Sequence, residues 1–196
     1  MSGFFVFDAE TLGTDSSSVI LSAAIVYVDM EIENHTWESL YETTLFVKFD
    51  AKEQVTNYKR IIDKDVIGWW QKQCKIARDM SFVPKKTDVT AKTGLSILKK
   101  YINDHANPNT TLIWTRGSLD QMVIDSLSKH CGEEVLIHYA NYRDVRTYVD
   151  IIATNSRRGY CDIDNTKYPD FDRHIVIKHC PQDDVVLDAL MILYPL

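Results

Sequence analysis

The chain reads as an α/β layered domain built on a mixed sheet. Three strand-like segments succeed one another within the first fifty residues, and the later apolar segments alternate between short runs and helix-spaced stripes. No internal repeat, low-complexity tract or Pro/Gly-rich linker divides the 196 residues, so residues 1–196 are read as one domain.

The run GFFVFDA is apolar on both faces, as a strand at the centre of a covered sheet must be. VILSAAIVYVD (19–29) and LYETTLFVKFD (40–50) read as two more strands, and their close succession predicts an antiparallel meander. From Ile62 the period changes: Ile62, Val66, Trp69 and Trp70 fall on one helical face. Leu95, Leu98, Tyr101 and Ile102 mark a second helix, and TLIWT (111–115) is a short buried strand. Leu119, Met122, Val123 and Leu127 mark the helix that follows. EVLIHYA (134–140) reads as a fifth strand, followed by a helix near 144–154. The polar stretch 155–174 has no periodicity, a length often tied to function or mobility. A last helix begins near Pro181.

Composition bounds the function. Apolar content of 45% and charged content of 26% describe an ordinary soluble protein. Four cysteines with neither CxxC pairing nor metal-like spacing predict free thiols and a reducing compartment. No signal peptide is recognised, and the longest apolar run, ten residues, is too short to span a bilayer, so a cytoplasmic, non-membrane protein is expected. A net charge of −6 argues against coating of duplex nucleic acid but not against a nucleic-acid enzyme with a small footprint. If four carboxylates are metal ligands, the remaining charge is −6 + 4 = −2.

The acids carry the chemistry. Asp8 and Glu10, two apart on a strand, project from the same face about 7 Å apart. Oxygen ligands so placed suit Mg²⁺ or Mn²⁺, although acids are also common where a strand reaches solvent. Asp120 follows a buried strand and a turn at the start of a helix; taken alone, it is favourable charge at a helix N-terminus, with Ser118 as the cap candidate. In HCPQDD (179–184), Pro181, Asp183 and Asp184 are ordinary helix-start signals. The five-residue separation also lets Asp184 bind a metal while His179 accepts a proton from the attacking water.

Taken together, these segments resemble the DEDD superfamily of 3′–5′ exonucleases, in its histidine-bearing branch. FDAETLG is similar to the first exonuclease motif, RGSLDQMVIDSL to the second and HCPQDD to the third, in the family's order over residues 8 to 184. IGWWQKQCKIAR (67–78) and YRDVRTYVD (142–150) resemble a subgroup containing tailed-phage exodeoxyribonuclease A and small bacterial exoribonucleases. The second motif often has Asn four residues before its Asp; here Arg116 stands there, as in the phage-like subgroup.

The resemblance implies a ribonuclease-H-like fold, with a five-stranded mixed sheet whose first three strands are antiparallel. It implies two divalent metal ions, Mg²⁺ or Mn²⁺, about 3.5–4 Å apart, held by Asp8, Glu10, Asp120 and Asp184 with Asp8 bridging. His179 is the implied general base; Asp183 rivals Asp184, but the family spacing favours the latter. The implied reaction hydrolyses single-stranded nucleic acid from its 3′ end to nucleoside 5′-monophosphates. The phage resemblance tilts the substrate to DNA, with an exoribonuclease as the alternative and a catalytically silent binding or scaffold protein as a more remote one. A cytosolic setting, bacterial or in a phage-infected host, goes with it; several exonucleases of this fold form homodimers, and no sequence feature decides the oligomeric state here.

Substrate-contact candidates are Thr11, Leu12, Trp69, Trp70, Arg116, Arg143 and Arg146. Trp69 and Trp70 are read as base-stacking residues, with core packing the stronger reading for at least one. For Arg143 and Arg146, a phosphate contact and an ion pair with Asp144 or Asp150 stand equal. Lys85, Lys86, Arg157 and Arg158 read as solvated surface that might otherwise guide a strand inward, and Asp125 and Asp188 as exposed helix positions.

Overall fold

The computed structural model describes residues 3–168 and 171–196. The elements are β1 (Gly3–Thr11), β2 (Ile20–Asp29), α1 (Trp37–Thr43), β3 (Leu45–Lys48), α2 (Ala51–Tyr58), α3 (Lys64–Trp70), α4 (Lys75–Ala77), α5 (Ala91–His105), β4 (Leu112–Thr115), α6 (Leu119–Cys131), β5 (Tyr142–Asp144), α7 (Val145–Ile152) and α8 (Pro181–Leu193). A single π-helical turn, Arg78–Phe82, continues α4.

The strands form one sheet in the order β3-β2-β1-β4-β5. β1 pairs antiparallel with β2 and parallel with β4; β2–β3 is antiparallel and β4–β5 parallel. This is the expected five-stranded mixed sheet with three antiparallel strands first. β1 is central and covered on both faces, so alternation sends its side chains into two separate cores. Phe5, Phe7 and Ala9 meet α5 and α6 through Leu95, Leu98, Ile124 and Leu127. Phe4 and Val6 meet α8 through Val186, Leu190 and Met191, with Trp37 and Leu40 of α1 and Val149 of α7 around them. Flanked by α1 and α7, α8 is buried on almost every side. A third cluster, with Leu12, Leu21, Trp70 and Cys180, closes the end where β1 terminates.

Four local expectations are corrected. Only the second half of 40–50 is a strand: residues 37–43 are helical, because Thr36 and Ser39 form a reciprocal capping box and Trp37 and Leu40 bury one face. The segment 134–140 is not a strand; Leu136 and Ile137 fill the core from irregular chain, and the fifth strand is Tyr142–Asp144. The helix read from Ile62 begins at Lys64, capped by Asp63, and leaves Ile62 exposed. Ser118 occupies the cap position of α6 but makes no capping bond, and Met122 faces solvent. Helix α2 carries no apolar stripe. Its buried residue, Gln54, donates to the Ile20 carbonyl (2.7 Å) and accepts from its amide (3.0 Å), replacing a strand partner.

The polar stretch 155–174 is irregular apart from a short 3₁₀ turn, Arg173–Ile175; Pro169 and Asp170 within it lie outside the described residues. All four cysteines are free thiols. Among the described residues, no helix is long and apolar enough to cross a membrane.

Candidate active site

Three chain segments bring their ends together. Strand β1 contributes Asp8 and Glu10, on the same face as Phe4 and Val6, where their β2 partners Ala24 and Ser22 leave room. A register irregularity between Glu10 and Thr11 ends the regular pairing there. Strand β4 runs parallel to β1 in register as far as Val6–Trp114, so the turn after it carries Asp120 to the C-terminal end of β1. Helix α8 supplies Asp184 from its first turn, and the loop before it supplies His179.

His179 is placed by its backbone. Its φ of 64° is left-handed, a conformation a side chain with a Cβ seldom adopts. Its amide donates to Asp184 Oδ2 at 3.0 Å, tying the two residues together. The ring lies edge-on to Trp69, with centroids 4.7 Å apart, and Nδ1 is 3.7 Å from Glu10 Oε1. That carboxylate raises the imidazole pKa above its usual range, against the burial that lowers it. Ligand atoms of Glu10, His179 and Asp184 all lie within 4.8 Å of one another.

Asp8 and Asp120 adjoin this trio. Burial, then the charges of Asp120, Glu10, Asp184 and Asp188, push the Asp8 carboxyl well above the ordinary range. Asp8 Oδ2 is buried without a hydrogen-bond partner. Asp120, 6% exposed, is pushed up to about 8, chiefly by burial and then by Glu10 and Asp188, with the Ala9 backbone opposing. Asp184 rises to about 7 by burial and by the same two carboxylates, with His179 opposing. The donor set is carboxylate oxygen with one imidazole, and it contains an orphaned buried oxygen. That chemistry fits a hard divalent cation.

The remaining candidates separate clearly. Asp183 is turned aside, its carboxylate accepting from the Ile177 amide at 2.7 Å. Trp70 is fully buried, donating from Nε1 to the Thr11 carbonyl (3.0 Å) and stacking on Phe82; Trp69 is 40% exposed beside His179. Thr11 and Leu12 are buried, and the Thr11 hydroxyl donates to the Gly13 carbonyl. Arg116 is not free for substrate: it is paired with Asp188. The ion-pair reading of Arg143 and Arg146 fails among the described residues. Asp144 instead caps α7 and accepts from the Gly117 amide, and Asp150 accepts from Ser156 and the Gly159 amide. Arg143 lines a cavity of about 400 Å³ with Thr115, Gly117, Ser118, Gln121, Tyr142 and Asp144, beside the turn that presents Asp120. Lys85, Lys86, Arg157 and Arg158 are exposed.

Asp188 corrects the sequence reading most. It is 6% exposed rather than solvated, and Asp125 is half-buried. The available signal was spacing: Asp188 follows Asp184 by one helical turn and so shares its face.

The fold has solved counterparts. Cell-death related nuclease 4 (CRN-4) superposes with a TM-score of 0.60 at 14% identity, over 98% of this chain and 62% of that one. Exonuclease I from Methylocaldum szegediense gives 0.55 at 11%, over 98% and 40%. The zinc-bound E. coli exonuclease I–ssDNA complex gives 0.53 at 13%, over 98% and 39%. These likenesses establish the fold, and this chain spans less than two thirds of CRN-4 and about two fifths of each exonuclease I. No curated protein matches the sequence. The family model for the Rv2179c-like 3′–5′ exoribonuclease domain matches residues 4–177, a span that includes Asp8, Glu10 and Asp120 and stops before His179 and Asp184. The chain therefore belongs to the Rv2179c-like 3′–5′ exoribonuclease domain family.

Proposed function

We propose that this chain hydrolyses single-stranded nucleic acid from the 3′ end, releasing nucleoside 5′-monophosphates, with two divalent cations held by Asp8, Glu10, Asp120 and Asp184. The observation that carries the reading is the half-buried acidic cluster with its orphaned Asp8 oxygen and an imidazole at its rim. Four carboxylates gathered in one partly buried site repel one another, and two divalent ions would balance their charge. Bound there, Mg²⁺ or Mn²⁺ supplies Lewis-acid stabilisation of phosphoryl charge and a nucleophile at neutral pH. Asp8, with one carboxylate oxygen lacking a protein partner, would be the ligand shared between them.

His179 takes the proton from the attacking water. Glu10 and the Asp184 tether orient its ring, and Trp69 limits its movement on the other side. The exposed part of Trp69 offers a surface on which a terminal base stacks, a contact worth about 1–3 kcal/mol. Trp70 anchors that platform through Thr11. Arg143, exposed at the cavity beside the Asp120 turn with Nη1 donating to the Ala140 and Tyr142 carbonyls, would meet a phosphate there through its remaining donors.

Family membership moves the substrate preference from DNA toward RNA, and the single chain, 1–196, is proposed to act as one catalytic domain. Labelled linear RNA and DNA of the same sequence, assayed side by side with Mg²⁺ or Mn²⁺, test this. RNA should be degraded faster, to mononucleotides, and excess EDTA should stop the reaction. Circular single strands should resist; their efficient cleavage would mark an endonuclease on the same fold.

A further inference from the structure

The cluster contains a fifth acid that the proposed ligand set does not use. Asp188 lies one helical turn beyond Asp184 on α8, and its negative charge bears on Asp8, Asp120 and Asp184. Arg116 grips it: Nε donates to both carboxylate oxygens at 3.1 Å, and Nη2 donates to Oδ1. Nη1 donates to the Gly159 carbonyl at 2.8 Å, and the guanidinium lies 4.0 Å from the centre of the Tyr160 ring. The two side chains are 12% and 8% exposed, and each guanidinium nitrogen is already engaged. Gly159 is needed for that carbonyl's position: its φ is +75°, and a Cβ there would lie 2.5 Å from the Arg146 side chain.

We infer that Arg116 is a positioning residue that keeps Asp188 out of the metal-binding cluster and does not itself contact substrate. This rests on the reading of the cluster as a metal centre. Arg116 joins three pieces of the site: the turn that presents Asp120, the helix that presents Asp184, and the 159–160 loop. The planar fork is what permits this, since an ammonium offers one point charge. Arg116 offsets the charge of Asp188 and leaves the four proposed ligands as the acids that divalent cations would balance. Without it, Asp188 becomes a free buried carboxylate next to Asp184, able to draw an ion out of place.

The test is a double-mutant cycle read by Mn²⁺ titration calorimetry and by kcat and KM on a linear single strand. Arg116→Gln removes a positive charge beside the cluster, so Mn²⁺ should bind at least about tenfold tighter, while kcat falls. Affinity and activity moving in opposite directions is not what a simple loss of packing produces. Asp188→Asn leaves the guanidinium uncompensated, so Mn²⁺ should bind at least about tenfold more weakly. The double variant restores the charge balance with a neutral pair, and affinity and kcat should return to within about threefold of the parent chain. If the single variants fail to fold, Arg116→Lys carries the test: it keeps the charge but loses the fork that joins Asp188 to the 159–160 loop, so Mn²⁺ should bind no more weakly than in the parent while kcat falls. Weaker Mn²⁺ binding by Arg116→Gln, or an Arg116→Lys variant with unchanged kcat, would overturn the inference. So would a double variant as slow as Arg116→Gln with a raised KM, because Arg116 would then touch substrate. A parent chain that binds no Mn²⁺ overturns the metal reading and this inference together. Mn²⁺ binding without mononucleotide release overturns the proposed activity alone, and the cycle still reads Arg116.

Discussion

In the absence of metal, the folded protein should lose stability as pH rises from 5.5 to 8. Burial and mutual repulsion push Asp120 up to about 8 and Asp184 up to about 7. In the unfolded chain such carboxyls titrate near 4. Between pH 5.5 and 7 the native state therefore holds two protons that the unfolded state has released, and stability falls with pH. Each such proton is worth about 1.4 kcal/mol per pH unit, so two give about 3 kcal/mol per unit below pH 7. Between 7 and 8 the slope roughly halves, and above 8 it flattens. Asp8 and His179, both raised, act with the same sign. The depressed carboxyls Asp15, Asp79, Asp144, Asp150 and Asp164 contribute stability that is lost only as pH falls below about 4, outside this window. At about 2–4 °C per kcal/mol for a chain of this size, Tm in EDTA should drop by about 6–12 °C per pH unit. Calorimetric or dichroic melts at constant ionic strength measure it. Asp120→Asn should remove about half the slope, and saturating Mg²⁺ should flatten it, because bound cations displace the protons. A flat or rising Tm between pH 5.5 and 7.5 in EDTA would refute the reasoning.

Asp8→Ala should abolish cleavage yet leave the metal-free protein at pH 8 no less stable, since it removes a buried carboxylate without a partner; undiminished turnover in that variant would sink the metal reading. His179→Ala should lower kcat by roughly 10²–10⁴-fold, the usual effect of losing a general base. Its Mn²⁺ affinity should change little, and the acidic limb of its pH–rate profile should lose the imidazole inflection. Near-full activity with the same inflection would make His179 only a residue before a helix.

Much of the fold was legible because β1, β2, β4 and α8 are apolar enough to declare themselves, and β1 carries Asp8 and Glu10 at its end. The elements misread are those formed by polar detail or distant contacts. The capping box at Thr36 and Ser39 turned a strand-like segment into a helix. Gln54 holds α2 against β2 through two hydrogen bonds that no periodicity announces. Trp69 and Trp70, adjacent in sequence, diverge because one ring finds the Thr11 carbonyl and the other the rim of the site. Arg116 and Asp188, 72 residues apart, are joined only by the tertiary fold.

The topology explains why the acids meet where they do. β1 is the strand at which the sheet changes sense, antiparallel to β2 on one side and parallel to β4 on the other. Open α/β sheets bind ligands outside the carboxyl ends of strands at such a point. Here β1 ends in two acids, the helix after β4 begins with a third, and α8 begins beside them with a fourth. Two helix N-termini thus face the cluster, and their dipoles favour negative charge by about 0.3–1 kcal/mol each, up to about 2 when partly buried. Burial and repulsion outweigh them: raising Asp120 from near 4 to about 8 corresponds to a cost on the order of 5 kcal/mol for its charged form. The helix ends alone therefore do not keep these carboxylates ionised at neutral pH. On the proposed reading a divalent cation would, and the same positive charge would serve the hydrolysis of a phosphodiester.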